Sequence, residues 1–184
     1  TVYKLNKVFL SFIFDGTGYG DDGNIWGGEV FVASKKEYKR VNHFKYFKLL
    51  GGEMAVKEPK RVALSLIFDN FTLEETLNMQ ISCVKAFKES EIKMLHTMWQ
   101  RGLNSPLTSS VGRLFDAVAS IANILHIQSY EGEAGLLIEQ HYDEKILETY
   151  SYEINEENID ISLMIKEMIL DTGAKIICSK FINT

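Results

Sequence analysis

Val8-Phe9-Leu10-Ser11-Phe12-Ile13-Phe14 is apolar at six of seven positions, with β-branched or aromatic residues dominating. A short continuous apolar run bounded by turn residues predicts a strand buried on both faces. The next nine residues, Asp15 to Gly23 (DGTGYGDDG), are too rich in Gly and Asp for a regular element and are expected to form a loop. A second strand is expected from Asn24 to Ala33. The two strands then form a hairpin with an unusually long, glycine-lined connection. Such a connection costs chain entropy, and long structured loops tend to carry function.

Working outward, Lys39 to Leu50 alternates basic or polar with apolar residues and reads as a third strand exposed on one face. Gly51-Gly52 breaks it. Pro59 is placed for the first turn of a helix running to about Phe68. Asn70 to Gly102 reads as helical, with a capping box at Thr72 and Glu75. Ser90 is the expected cap of a helix carrying Ile92, Leu95 and Trp99. Asn104 to Gly112 is a polar loop. Arg113 to Leu125 is an amphipathic helix, and Tyr130-Glu131-Gly132 turns into another over Glu133 to His141. A strand is expected over Ile146 to Tyr152 and a helix over Asp160 to Asp171, stopped by Gly173. The fold class expected is α/β (mixed α+β), with early mixed or antiparallel strands followed by helices, in one domain spanning residues 1–184.

The 184 residues carry 20 Lys+Arg against 25 Asp+Glu, a formal charge of −5, which argues against a surface that coats nucleic acid. No window has the roughly 18 apolar residues a membrane span needs. Cys83 and Cys178 give neither a disulfide framework nor a four-ligand zinc site, and a reducing, cytoplasmic setting is expected. A start at Thr1 without Met, and an end at Lys180-Phe181-Ile182-Asn183-Thr184 without a stop signal, are expected of a piece of a longer polypeptide.

Two loops are candidates for chemistry. Glycines in Asp15 to Gly23 let backbone N–H groups approach an anion. Asp15 can ligate a metal or orient a water, and Thr17 offers a hydroxyl to a phosphate oxygen. A plain solvated hairpin loop fits the same glycines. The EF-hand pattern fails, because the twelfth position counted from Asp15 or Asp21 is Trp26 or Val32. The P-loop pattern fails too. In the second loop, Ser109, Ser110 and Arg113 at a helix N-terminus fit an anion site, and simple helix capping fits equally. Asp116 can pair with Arg113. His43, His96, His126 and His141 are scattered without metal-ligand spacing.

Four strings succeed one another in order: DGTGYGDDGNIWGGEVF (Asp15 to Phe31), LLGGEMAVKEPKRVAL (Leu49 to Leu64), NSPLTSSVGRLFDAVA (Asn104 to Ala119) and SYEGEAGLLIE (Ser129 to Glu139). Together they resemble the hydrogenase-maturation carbamoyltransferases of the HypF family. The closing KFINT is similar to that family's Phe-His-Asn-Thr segment, with Ile182 in place of His.

The resemblance implies a domain like the tRNA threonylcarbamoyl transferases. That fold is the actin/sugar-kinase/Hsp70-like ATPase (RNase H-like) one, and this chain would be much of its second lobe. It implies a parent that uses carbamoyl phosphate and ATP to make carbamoyl-adenylate. The parent would pass the carbamoyl group to a C-terminal cysteine of a partner, HypE, toward the cyanide ligand of nickel-iron hydrogenase. Carried over residue by residue, Asp15 is the metal ligand, for iron or zinc. Thr17 and Gly18 lie at phosphate, Asp116 near the ribose, Glu131 and Gly132 at the nucleotide turn, and Glu139 is a further ribose-contact candidate. The related transferases have Gly-Gly in that turn, where this chain has Gly132-Glu133. The family's metal-binding histidines are expected upstream of Thr1, and a Ser-Gly-Gly strand and a further aspartate beyond Thr184. The isolated chain is therefore expected to fold without binding metal tightly or turning over. Two rival readings are a sibling transferase or kinase of the same fold and a HypE-docking module using the Lys39 to Leu50 face.

Overall fold

The computed structural model describes residues 7–184, so the domain expected over 1–184 is described from Lys7 onward. The chain opens with β1 (Phe9–Tyr19), β2 (Ile25–Ala33), β3 (Tyr38–His43) and β4 (Phe47–Lys48). The helices α1 (Glu53–Lys57), α2 (Pro59–Asn70), α3 (Leu73–Asn78), α4 (Ser82–Lys85) and α5 (Glu89–Arg101) come next. Then come β5 (Leu107–Thr108), α6 (Val111–Ile121), α7 (Glu133–Gln140), β6 (Glu153–Ile154), β7 (Ile159–Asp160), α8 (Ser162–Met168) and α9 (Ala174–Asn183).

β1 and β2 pair antiparallel, and the other edge of β2 is shared. Residues Glu29 to Ala33 pair with β3, while Ile25 pairs in parallel with Thr108 of β5, which continues to β4. Behind the sheet lies a helical core. Val62, Ala63, Leu64 and Ile67 of α2 are fully buried, and α2 packs on α6, whose Ala117, Val118 and Ala119 are equally dry. Small residues on α6 let the two helices approach closely.

Several expectations need correction. VFLSFIF is a strand, but not a buried one: Phe12 is 60% exposed and Leu10 57%. Among the described residues β1 is an edge strand, and α6 meets it at its far end. The sequence Asp15 to Tyr19, expected as loop, continues β1, and only Gly20 to Asn24 turn. The third strand divides into β3 and β4. Lys88, not Ser90, is the N-cap of α5, and Glu91 at the third helical position takes the Lys88 N–H at 2.7 Å. The helix expected over Arg113 to Leu125 runs from Val111 to Ile121, and the one over Asp160 to Asp171 shrinks to α8.

Ile146 to Tyr152 is no strand, because side chains hold its backbone. The Tyr150 N–H goes to Thr184 Oγ1 at 2.8 Å, the Ser151 N–H to Glu167, and Ile146 O accepts from Asn183. Gly173 does not stop a helix but begins one, α9, at a φ of 95°. The capping box at Thr72 and the Pro59 start are present as expected. Among the described residues no helix is long and apolar enough to cross a membrane.

Candidate functional site

The site begins with a β-bulge. Phe14 pairs with Gly28 and Gly18 with Trp26, so Asp15, Gly16 and Thr17 all face one residue, Gly27. Surplus residues on one strand bend it and re-aim its side chains. The glycines are there for space. A Cβ on Gly27 would lie 2.4 Å from the Asp15 carbonyl oxygen, and one on Gly112 would lie 2.7 Å from Gly16 Cα. The bulge thus presses directly on the first turn of α6.

Ser110 fastens that contact. As N-cap of α6 its Oγ accepts the Arg113 N–H at 3.1 Å. Its hydroxyl points between the carbonyls of Asp15 and Gly16, at 2.7 and 2.8 Å. Ser109 is equally committed, since its hydroxyl donates to Glu29 Oε1. Both serines are fully buried. The expectation that their hydroxyls serve an anion is corrected: they are already spent on the protein itself.

One turn into α6, Arg113 and Asp116 are each 2% exposed. Arg113 Nη1 lies 2.8 Å from Asp116 Oδ2 as a buried ion pair that is not aligned as a hydrogen bond. Arg113 Nε and Nη1 and Asp116 Oδ2 are therefore buried without hydrogen-bond partners among the described residues. Burial pushes the Asp116 carboxyl up to about 7, with Arg113 opposing the rise and the charge of Glu131 adding to it. A buried donor and acceptor left unmatched are costly, which marks a place where a ligand can complete the pairing.

These groups line a pocket of about 190 Å³ together with Gly16, Gly112, Glu131 and Gly132. A neighbouring cleft of about 470 Å³ is lined by Asp15, Thr17, Lys57, Tyr130 and Glu131. Glu131 borders both. The smaller space alone is below the roughly 300–1,000 Å³ usual for small-molecule sites, but the two adjoin. Phe115, on the pocket wall, is backed by Phe181 of α9 in an edge-on contact at 4.9 Å, which gives the KFINT segment a structural part in the site.

The fold thus gathers Asp15, Thr17, Asp116, Glu131 and Gly132, which lie far apart in sequence. Gly18 and Glu139 stand outside the group. Gly18 is in the ladder opposite Trp26, and Glu139 is exposed near the end of α7; neither lines either space. The histidines do not converge: His43 and His141 bond to nearby carbonyls, His126 sits between Ser82 and Ser120, and His96 packs on Phe68 and Trp99. Asp15 Oδ1 is taken by the Gly16 N–H at 2.6 Å. Among the described residues no three His, Cys, Asp or Glu gather in a way that could hold a metal ion.

Two features escaped the sequence reading. Glu29 is buried in the midst of the site's supports. At the hairpin tip, Asp22 accepts from Tyr46, Trp26 and Arg40. Burial opposes ionisation there, but the hydrogen bonds from Tyr46, Asn24 and Trp26 prevail and hold its carboxyl well below the usual carboxylate range. Glu29 lies in the string Trp-Gly-Gly-Glu, and a carboxylate inside a β-branched, apolar strand was the signal available.

Residues 11–184 match the family model described as "Carbamoyltransferase, Kae1-like Domain, second subdomain". The chain belongs to the HypF carbamoyltransferase family. It is 33% identical to carbamoyltransferase HypF of Synechocystis over 98% of this chain and 26% of that protein. It is 37% identical to the probable carbamoyltransferase HypF of Methanocaldococcus jannaschii over 74% of this chain and 17% of that protein. It superposes on the crystal structure of full-length HypF in the phosphate- and nucleotide-bound form with a TM-score of 0.85 at 33% identity, covering 99% of this chain and 24% of that one. The HypF structure of T. kodakarensis matches with a TM-score of 0.77 at 26% identity, over 93% of this chain and 24% of that one. The chain therefore spans about a quarter or less of the length of these relatives.

Proposed function

We propose that this chain forms one wall of a carbamoyl-transfer site, in a cytoplasmic polypeptide that uses ATP and carbamoyl phosphate to make carbamoyl-adenylate. The carbamoyl group passes to the C-terminal cysteine of HypE during nickel-iron hydrogenase maturation. The observation that carries this reading is the convergence of Asp15, Thr17, Arg113, Asp116, Glu131 and Gly132 around two adjoining spaces, in a chain of this family. A relative's structure described as phosphate- and nucleotide-bound supports a nucleotide ligand.

The reaction is acyl transfer from a mixed anhydride to a thiolate. The electrophile is already activated, so the protein's work is positioning and charge stabilisation. Arg113, with Nε and Nη1 lacking hydrogen-bond partners among the described residues, offers cationic donors to the phosphate of departing AMP. Asp116 Oδ2 offers an acceptor to a ribose hydroxyl. Asp15 would contribute one carboxylate to an iron or zinc ion whose other ligands come from outside these residues. In this reading the chain alone neither holds the metal tightly nor turns over.

The test is carbamoylation of HypE by the full-length polypeptide, followed by mass spectrometry of the HypE C-terminal peptide. Asp15→Ala should reduce transfer while adenylate formation continues. Loss of both together indicates misfolding, and absence of transfer by the parent protein overturns the reading.

A further inference from the structure

We propose that Glu29 is a positioning residue whose carboxylate sets the distance between the β1 bulge and the N-terminus of α6. The inference rests on the carbamoyl-transfer reading for its consequence, but not for its geometry. Glu29 sits on β2, 2% exposed, directly behind the bulge. Its Oε2 accepts the N–H groups of Gly27 and Gly28 at 2.7 and 2.8 Å, and its Oε1 accepts the Ser109 hydroxyl. The one cation near it among the described residues is Arg40, with Nη1 4.0 Å from Oε1.

Each of these bonds leads into the site. Gly27 is the single residue opposite Asp15, Gly16 and Thr17, and it has no room for a Cβ against the Asp15 carbonyl. Ser109 precedes Ser110, which holds the carbonyls of Asp15 and Gly16 and caps α6. One carboxylate therefore grips the strand on one side of the bulge and the helix start on the other. Arg113 and Asp116, on the first turns of that helix, move with it. Glu29 touches neither space directly; its effect passes through Gly27, Ser109 and Ser110.

A carboxylate can act here through its shape or through its charge, and the Gln variant separates the two. In Glu29→Gln the amide oxygen can take both glycine N–H groups, and the amide nitrogen can donate to Ser109 once that hydroxyl turns. The grip survives while the charge facing Arg40 is lost. In Glu29→Ala two buried N–H groups lose their acceptor. In Glu29→Asp the carboxylate is withdrawn by one methylene and reaches only part of the set.

The experiment uses the full-length polypeptide and two readouts: amide exchange of segments 13–19 and 109–113, and kcat for carbamoyl transfer to HypE. A control, Met168→Ala, destabilises the core at α8, at a buried residue that lines neither space. Glu29→Ala should accelerate exchange in both segments and lower kcat about 100-fold, as misplacement near a reacting centre does. Glu29→Asp, which serves if the Ala variant does not fold, should fall between. Glu29→Gln should keep both readouts near the parent's, and Met168→Ala should lower the melting temperature with neither changed. Unaltered exchange in the Ala and Asp variants overturns the proposal. So does altered exchange with full kcat, or a Gln variant as impaired as Ala. If the parent protein transfers nothing to HypE, the transfer reading fails, and the exchange arm alone decides whether Glu29 holds the bulge.

Discussion

Val8 to Asp15 reads VFLSFIFD and Val62 to Asp69 reads VALSLIFD, identical at six of eight positions. The first is the edge strand β1, with Leu10 57% exposed; the second is the centre of α2, with Leu64 fully buried. Two differences decide the conformation. Phe9 and Phe12 are replaced by Ala63 and Leu66, exchanging strand-favouring aromatics for the best helix formers. Pro59 then sets the first helical turn, whereas Asp15 leads into Gly16-Thr17-Gly18. Neither difference determines burial. That is decided by what packs alongside: α6 packs on α2 and reaches β1 at the bulge.

The comparison breaks most directly by making the same substitution in both segments of this chain. Leu64→Ala should cost about 2–5 kcal/mol, the range for a buried Leu that leaves a cavity. Leu10→Ala should stay within about 0.5 kcal/mol, as exposed substitutions do. Urea denaturation monitored by circular dichroism measures both. Equal costs would mean that β1 is covered in solution. Exposed apolar edge strands invite pairing with other chains, so the measurement belongs at several protein concentrations.

The features legible in the sequence divide in the same way. Pro59, Thr72 and Glu75 act on backbone groups within a turn of themselves, and the structure bears them out. The bulge was not readable, because Asp15 to Thr17 take their shape from Gly27, across the hairpin, and from Ser110 and Gly112, far along the chain. Gly173 is ambiguous in the sequence, because a glycine at positive φ suits the start of a helix as well as its end. Glu29 was passed over because its partners are backbone N–H groups and a serine, none of which announces a carboxylate site. Site residues adjacent in sequence, such as Glu131 and Gly132, came out together; Glu139, two turns along α7, did not.

Asp116 sharpens the comparison, because α6 faces α2 on one side and the bulge on the other. Its carboxyl titrates at about 7 in the fold against 3.8 ordinarily. Between those values the folded state keeps a proton that the unfolded chain has released. Stability attributable to Asp116 is thus present below about pH 4, falls as pH rises toward about 7, and is flat above. Asp116→Asn should remove that portion of the slope, whatever it does to the absolute level by leaving Arg113 without its partner. Urea midpoints across the range provide the measurement. An unchanged slope would show that the pocket is wetter than its 2% exposure indicates.

The smallest effect concerns the residues that come after each aspartate. Asp15 is succeeded by Gly16 and Thr17, and the chain stays extended; Asp69 is succeeded by Asn70, Phe71 and Thr72, and a new helix starts. Thr72 Oγ1 accepts the Glu75 N–H at 3.2 Å, and Glu75 returns the bond to the Thr72 N–H at 2.7 Å. This box fixes where α2 ends and α3 begins. Thr72→Ala should cost about 1 kcal/mol, as the loss of an N-cap hydroxyl does, while Thr17→Ala, exposed on the bulge, should leave stability unchanged. Equal losses in the same denaturation series would mean that the Thr17 hydroxyl helps to hold the bulge, and the loop would then owe its shape to local bonds as well as to Ser110.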